Sequence, residues 1–238
     1  MDIRIPMKPE SHPIFCLLQI SDPLFPIGGY TQSFGLETYV QKGLVHDAQS
    51  TREYLESYLL NNFLYNDLLA VKLAWEYADR EKLEALCLLD RLLSAVKSAR
   101  EIRNASLKLG ARFSKLVEMV LAGNRLFDSF GQFIRNHSCA GHYSVVYGLS
   151  ARLLQVDKTD ALSAISYSTA ASIVNNCAKL VPISQKDGQE ILFAAHSLLQ
   201  QLVDRVEVLD EDSIGICGFG FDLRSMQHER LYMRLFIS

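Results

Sequence analysis

The most metal-like grouping in the chain is His137-Ser-Cys139-Ala-Gly-His142. Imidazole and thiolate both suit nickel or zinc. A closed site wants four protein ligands, however, and no other Cys-His pair lies close in sequence. His142 also falls on an apolar stripe with Val146, Leu149 and Leu153. The grouping therefore reads as core or capping residues, with a metal contact as the alternative. Gly215-Ile-Cys-Gly-Phe-Gly220 is rich in glycine, yet it lacks the Lys-Ser/Thr pair and the preceding strand of a phosphate loop. No nucleophile elbow, H-E-x-x-H helix or kinase set is present. Glu207, Asp210, Glu211 and Asp212 read as a solvated turn. No motif stands behind a catalytic activity, and the chain is expected not to be an enzyme.

Two polar groupings say more. Lys179 is the only charged residue between 161 and 181. It is either a cation favourably placed at a helix C-terminus or part of a binding surface. Ser184, Gln185, Asp187 and Gln189 follow just beyond it and form a small polar island. That island is either a buried polar network or a binding or transit surface. In the tail, Arg224, Arg230 and Arg234 alternate with Leu223, Leu231, Tyr232, Leu235 and Phe236. The tail is either a terminal helix tucked on the body or an arm that orders on a partner, with the aromatic and arginine anchors that dominate interfaces.

These groups need a scaffold, and its least regular stretch is Phe25-Pro-Ile-Gly-Gly-Tyr-Thr-Gln-Ser-Phe-Gly-Leu-Glu37. Pro26 fixes its own φ and pushes Phe25 toward extended geometry. Gly28 and Gly29 permit angles that a Cβ resists, and Gly35 lets a neighbouring backbone come close. Thr31 or Ser33 is expected to cap the next helix. Tyr30 lies on the far side of the turn. The stretch is either a structural turn or a surface that presents its aromatics.

Elsewhere the apolar spacing is helical throughout. Pro13 starts a helix that Asp22-Pro23 stops, and a second helix carries Phe34, Tyr39 and Val40 and ends at Gly43. Asp47 or Ser50 starts the next, with Asn61-Asn62 expected to kink or divide it from the stripe Leu64, Leu68, Val71, Trp75. Leu83 to Leu93 and Ile102 to Val120 give two more stripes. Gly110 inside the second suggests close packing. Residues 161–181 are apolar around the whole circumference and are expected at the centre of the bundle. Pro182 ends that helix, and Ser184 with Asp187 resembles a capping box. A last short helix is expected from about Leu223. No period of two persists. The expected fold is all-α, an irregular bundle of about ten helices: a flexible N-terminal arm over 1–12, a helical domain over 13–222 and a tail over 223–238.

Composition narrows the function classes. Of the 238 residues, 49% are hydrophobic and 21% charged, the apolar edge of an ordinary globular protein. The net charge of −3, without like-charge blocks, gives no footprint for nucleic acid or an anionic membrane. No apolar run is long enough to span a membrane, and the N-terminus lacks a signal-peptide centre. Cys16, Cys87, Cys139, Cys177 and Cys217 are scattered and never C-x-x-C, as reduced, mostly buried thiols of a cytoplasmic protein would be.

Three collinear runs resemble the UreF family of urease accessory proteins. They are the run from Leu18 through Phe25-Pro-Ile-Gly-Gly-Tyr to Glu37, the run Asn175-Asn-Cys-Ala-Lys-Leu-Val-Pro-Ile-Ser-Gln-Lys-Asp-Gly-Gln189, and the run Met226-Gln-His-Glu-Arg-Leu-Tyr-Met-Arg-Leu-Phe-Ile-Ser238. The resemblance implies an all-helical homodimer that acts as a non-catalytic urease maturation chaperone. Its partners would be UreH (also called UreD), the GTPase UreG and apo-urease, in a complex that inserts nickel as GTP is hydrolysed. No cofactor would be tightly bound by this chain: nickel is handled by the complex, and GTP by the partner GTPase. The resemblance implies partner-binding roles for Tyr30, Lys179, Tyr232 and Arg234, and a weak polar nickel route through Ser184, Gln185 and Gln189. The family pattern admits Ser where this chain has Gly28-Gly29. His137, Cys139 and His142 are not carried over as metal sites. The competing reading is an all-helical scaffold or regulator of another GTPase or metalloenzyme.

Overall fold

The computed structural model describes residues 12–216 and 218–237. The arm expected over 1–12 lies outside the described residues except for His12, as do Cys217 and Ser238. The described residues form α-helices, short 3-10 turns and one π segment, with no strand among them. Eleven α-helical segments run in order: α1 Pro13–Ser21, α2 Leu36–Gln41, α3 Ala48–Tyr58, α4 Leu69–Asp79, α5 Leu83–Val96, α6 Arg100–Leu121, α7 Arg125–Arg135, α8 Tyr143–Leu153, α9 Lys158–Leu180, α10 Gln185–Glu207 and α11 Phe219–His228. The π segment Leu59–Leu68 joins α3 to α4, so the eleven segments make ten rods.

Local signals account for most of the boundaries. Pro13 occupies the first turn of α1, where its missing N–H is no loss. Asp47 caps α3 in a reciprocal box with Ser50, and Ser184 caps α10 in the same way with Asp187. Gly43 follows α2 with φ +68°, the left-handed residue that closes a helix. Pro182 follows the extended Val181 at the end of α9.

Four expectations change. Asn61-Asn62 do not divide a helix. The ladder widens into π turns, with the side-chain amides of Asn61 and Asn66 donating to the carbonyls of Ser57 and Asn62, both at 3.0 Å. Neither Thr31 nor Ser33 caps α2: Thr31 Oγ1 donates to Gly28 O inside a 3-10 turn, and the N-cap is Gly35. The last helix begins at Phe219, one turn before the expected start. Finally, α9 is not enclosed all round. Its Leu162, Ile165, Ala170 and Val174 are buried, but Tyr167, Asn175 and Lys179 face solvent.

The core is continuous. Helix α4 lies along α8 and α6 packs on another face of α8, while α9 contacts α1, α3 and α10. Gly110 explains the closeness of α6 to the turn before α8: a Cβ there would fall 2.0 Å from the Gly141 carbonyl oxygen. Helix α11 packs on α2 and α6 and so carries the tail to the stretch around Tyr30. No described helix is long and apolar enough to cross a membrane.

Candidate functional site

The irregular stretch after α1 is shaped from below. Pro26 and Gly28 turn the chain, with Gly28 at φ +84°. Arg112 Nη1, reaching up from α6, donates to Ile27 O at 3.0 Å. Phe25 meets Phe113 edge to face with centroids 5.7 Å apart, and Phe25 and Phe34 are both half-buried against the core. Tyr30 lies in the turn Gly29–Thr31 and is 61% exposed. Gly35, at φ +85°, admits α11: a Cβ there would fall 3.3 Å from the backbone of Ser225. The ends of the stretch pack inward and its middle faces out.

The tail then returns across this stretch. It is tucked on the body, as the first of the two expected forms has it, but α11 ends at His228 and the residues beyond it are not helical. Residues 231–237 run without regular structure and are fastened mainly through their backbone. Leu235 N and Phe236 N donate to the two carboxylate oxygens of Glu37 at 2.7 and 3.1 Å, and Ile237 N donates to Thr31 O at 2.9 Å. Gln41 Nε2 donates to Met233 O at 2.9 Å. Phe236 is buried, and Lys179 Nζ lies 5.5 Å from the centre of its ring, within range of a cation–π attraction. The side chains of Tyr232, Met233, Leu235 and Ile237 face solvent, and Tyr232 is fully exposed.

Charge holds the arrangement from the inside. Glu37 is buried, and His228 beside it is completely so. His228 Nδ1 stands 2.6 Å from Glu101 Oε2, and Nε2 stands 3.1 Å from Glu37 Oε2. Arg234 Nη1 donates to the other oxygen of Glu101 at 2.7 Å. The His228 ring is thus set between two carboxylates, with Arg234 against the second of them.

Below the stretch is a cavity of about 120 Å³, lined by Ile27 and Phe34 above and by Asp67, Lys97, Ser144 and Thr169 within. Lys97 Nζ donates to both oxygens of Asp67 at 3.0 and 2.9 Å, and Ser144 Oγ donates to Asp67 as well. Burial alone would raise the Asp67 carboxyl, but Lys97 and Ser144 outweigh it and hold the group below the usual carboxylate range.

The His137 grouping does not assemble into a site. His137 is exposed at the end of α7, with φ +58°. Cys139 is buried, and burial pushes its thiol up. His142 caps nothing with its side chain. Its ring lies between Ser106 Oγ at 3.0 Å and Ser94 Oγ at 2.9 Å, and burial lowers it to about 4. The backbone N–H groups of Gly141 and His142 donate instead to the fully buried carboxylate of Asp90. Among the described residues no group of His, Cys, Asp or Glu is placed to hold a metal ion. The four described cysteines are free thiols, and all but Cys16 are buried.

The structure thus gathers Tyr30, Lys179 and Arg234 around the docked tail, with Tyr232 at its outer edge. Ser184, Gln185 and Gln189 stand apart, exposed on the first turns of α10, with Ser184 engaged as the cap. The sequence reading missed Glu37, Glu101 and His228 as a unit. One trace of it was there: Glu37 is a carboxylate in an otherwise uncharged run from Pro23 to Val40.

The family model for UreF matches residues 45–196. "Urease accessory protein UreF" of Actinobacillus pleuropneumoniae serotype 5b is 41% identical over 93% of this chain and 97% of its own length. The proteins of that name from Haemophilus influenzae and Lachnoclostridium phytofermentans are 38% and 30% identical, again over 93% of this chain, and over 94% and 97% of their own lengths. On the family model and these relatives, the chain belongs to the UreF family of urease accessory proteins.

Proposed function

We propose that this chain is a cytoplasmic, non-catalytic urease maturation chaperone. It acts as a homodimer with UreH/UreD and the GTPase UreG, in a complex that inserts nickel into apo-urease as UreG hydrolyses GTP. The observation that carries the reading is the ordered tail. It presents Tyr232, Met233, Leu235 and Ile237 to solvent beside the exposed Tyr30, on a backbone already fixed. Exposed aromatic and aliphatic anchors on an ordered backbone are what a partner binds at least entropic cost. In this reading Tyr232 and Arg234 belong to the surface that meets UreH, and Tyr30 and Lys179 to the surface that meets the GTPase. Ser184, Gln185 and Gln189 offer weak oxygen and amide contacts along a nickel route. Weak donors suit transit, because a passage must release what it binds. A two-fold dimer would present this surface twice, matching a two-fold GTPase.

The test is capture of UreH and UreG by this chain, followed by urease activation in cells that lack it. Arg234→Ala is expected to keep the helical circular dichroism signal and to reduce capture, since the residue is partly exposed and its bond in the tail contact is to Glu101. No complex, with urease activity unaltered, would refute the proposal.

A further inference from the structure

We propose that Cys87 and Cys139 form a peroxide-sensitive dithiol, in which Cys87 reacts first and Cys139 closes a disulfide that ties α5 to the turn before α8. The proposal is independent of the docking role given above. The two residues are far apart in sequence and both buried, yet the Cys139 thiol donates a hydrogen bond to the Cys87 sulfur. Backbone contacts set this meeting. Asp90 lies one turn along α5 from Cys87, on the same face. Its fully buried carboxylate accepts from the N–H groups of Ala140, Gly141 and His142, the three residues that follow Cys139. Cys139 N itself donates to Phe133 O of α7 at 3.2 Å. The turn is thus fastened on both sides of Cys139, and its sulfur is held against Cys87. Cys177, also buried, is set beside the Thr51 hydroxyl instead.

The surroundings divide the roles. Because Cys139 donates and Cys87 accepts, a thiolate is favoured at Cys87 and disfavoured at Cys139. Arg91, exposed one turn beyond Cys87, adds a positive charge near both sulfurs, and Asp90 opposes it. Burial raises both thiols, Cys139 the more, so the pair rests as the dithiol and reacts slowly. Hydrogen peroxide is small enough to reach sulfurs under the surface, where a bulky disulfide oxidant is excluded. The Cys87 sulfur attacks one peroxide oxygen and the O–O bond breaks. The other oxygen leaves as water with the thiol proton, and Cys87 becomes a sulfenic acid. The Cys139 sulfur then displaces the sulfenic oxygen, which leaves as a second water with the Cys139 proton. One S–S bond has formed, two thiols are oxidised and one peroxide is reduced to two waters.

The test treats the full-length protein with hydrogen peroxide, alkylates it in denaturant and reads each cysteine peptide by mass spectrometry. The expected product is the Cys87 peptide joined to the Cys139 peptide, lighter by two hydrogens and returned to thiols by dithiothreitol, with Cys177 still alkylated. Cys16, the least buried described cysteine, is the internal standard. Oxidised Cys16 with Cys87 and Cys139 both still alkylated would overturn the proposal, as would disulfides shared evenly among the cysteines. In Cys139→Ser, Cys87 is expected to stop at a sulfenic acid that dimedone traps. In Cys87→Ser, Cys139 is expected to stay a thiol. Equal oxidation of Cys139 with and without Cys87 would overturn the order of reaction. If either variant loses helical circular dichroism signal, the wild-type peptide map decides alone.

Discussion

Gly28 and Gly29 stand side by side, yet alanine at each should move stability in opposite directions. At Gly28 the backbone has φ +84°, and an added Cβ would fall 2.1 Å from Arg112 Nη1. A left-handed angle costs a residue with a Cβ roughly 1–2 kcal/mol. The guanidinium must also leave the Ile27 carbonyl, a charge-assisted hydrogen bond of about 1.5–3 kcal/mol. Arg112 is exposed, and water recovers much of that loss. Alanine restricts the unfolded chain, which returns about 0.4–1 kcal/mol. The balance is a destabilisation of about 2 kcal/mol for Gly28→Ala. At Gly29 the φ is not positive and nothing lies within 4 Å of the added atom, so only the unfolded-state effect remains. Gly29→Ala should be stabilised by about 0.4–1 kcal/mol. Urea unfolding followed by fluorescence of Trp75, the single tryptophan, reads both variants. A lower midpoint for Gly28→Ala and an equal or higher one for Gly29→Ala, at unchanged m, is the expected pair. Equal midpoints in the two variants would refute the account of how the stretch is held.

Burial lowers His142 from 6.5 to about 4, against the upward pull of Asp90, so the neutral ring's contribution is complete above about pH 6.5 and is lost as pH falls toward 4. Wild type should lose up to about 3 kcal/mol over that window, and His142→Gln, although less stable, should show a shallower urea-midpoint profile. Parallel profiles would count against a neutral buried ring. Lys97→Met leaves the Asp67 carboxylate without its cation and is expected to cost about 3–5 kcal/mol, with Asp67→Asn in the same background restoring part of it. A double variant no more stable than Lys97→Met would mean that the pair does not act as a unit.

How much of this was legible varies with the range of the interaction. Caps and stops are local chemistry. Asp47, Ser184, Gly43 and Pro182 could be placed because each acts within a few residues of itself. Gly110 was legible as a close approach, but what approaches is the backbone around Gly141, 31 residues on. The π segment was read as a kink or a division at Asn61-Asn62, residues of low helix propensity. Packing on both sides carried the helix through instead. The cap of α2 was misread because the helix starts only at Leu36, five residues past Thr31, whose hydroxyl instead donates to Gly28 O and accepts from Gln32 Nε2.

For the candidate site the division is sharper. By itself the sequence determined an all-helical chain with its family, its Tyr30 in a glycine-rich turn, its lone Lys179 and its arginine-bearing tail, since each is a matter of residue type and spacing. Only the tertiary structure decided that these meet. Glu37 and Leu235 are 198 positions apart, and His228 lies 127 from Glu101. Periodicity cannot signal a contact across such separations, because the helices between them set the distance. The same is true of His137, Cys139 and His142, which lie within six residues and yet point to three different environments. A helix end and a left-handed residue turn side chains apart faster than sequence distance suggests.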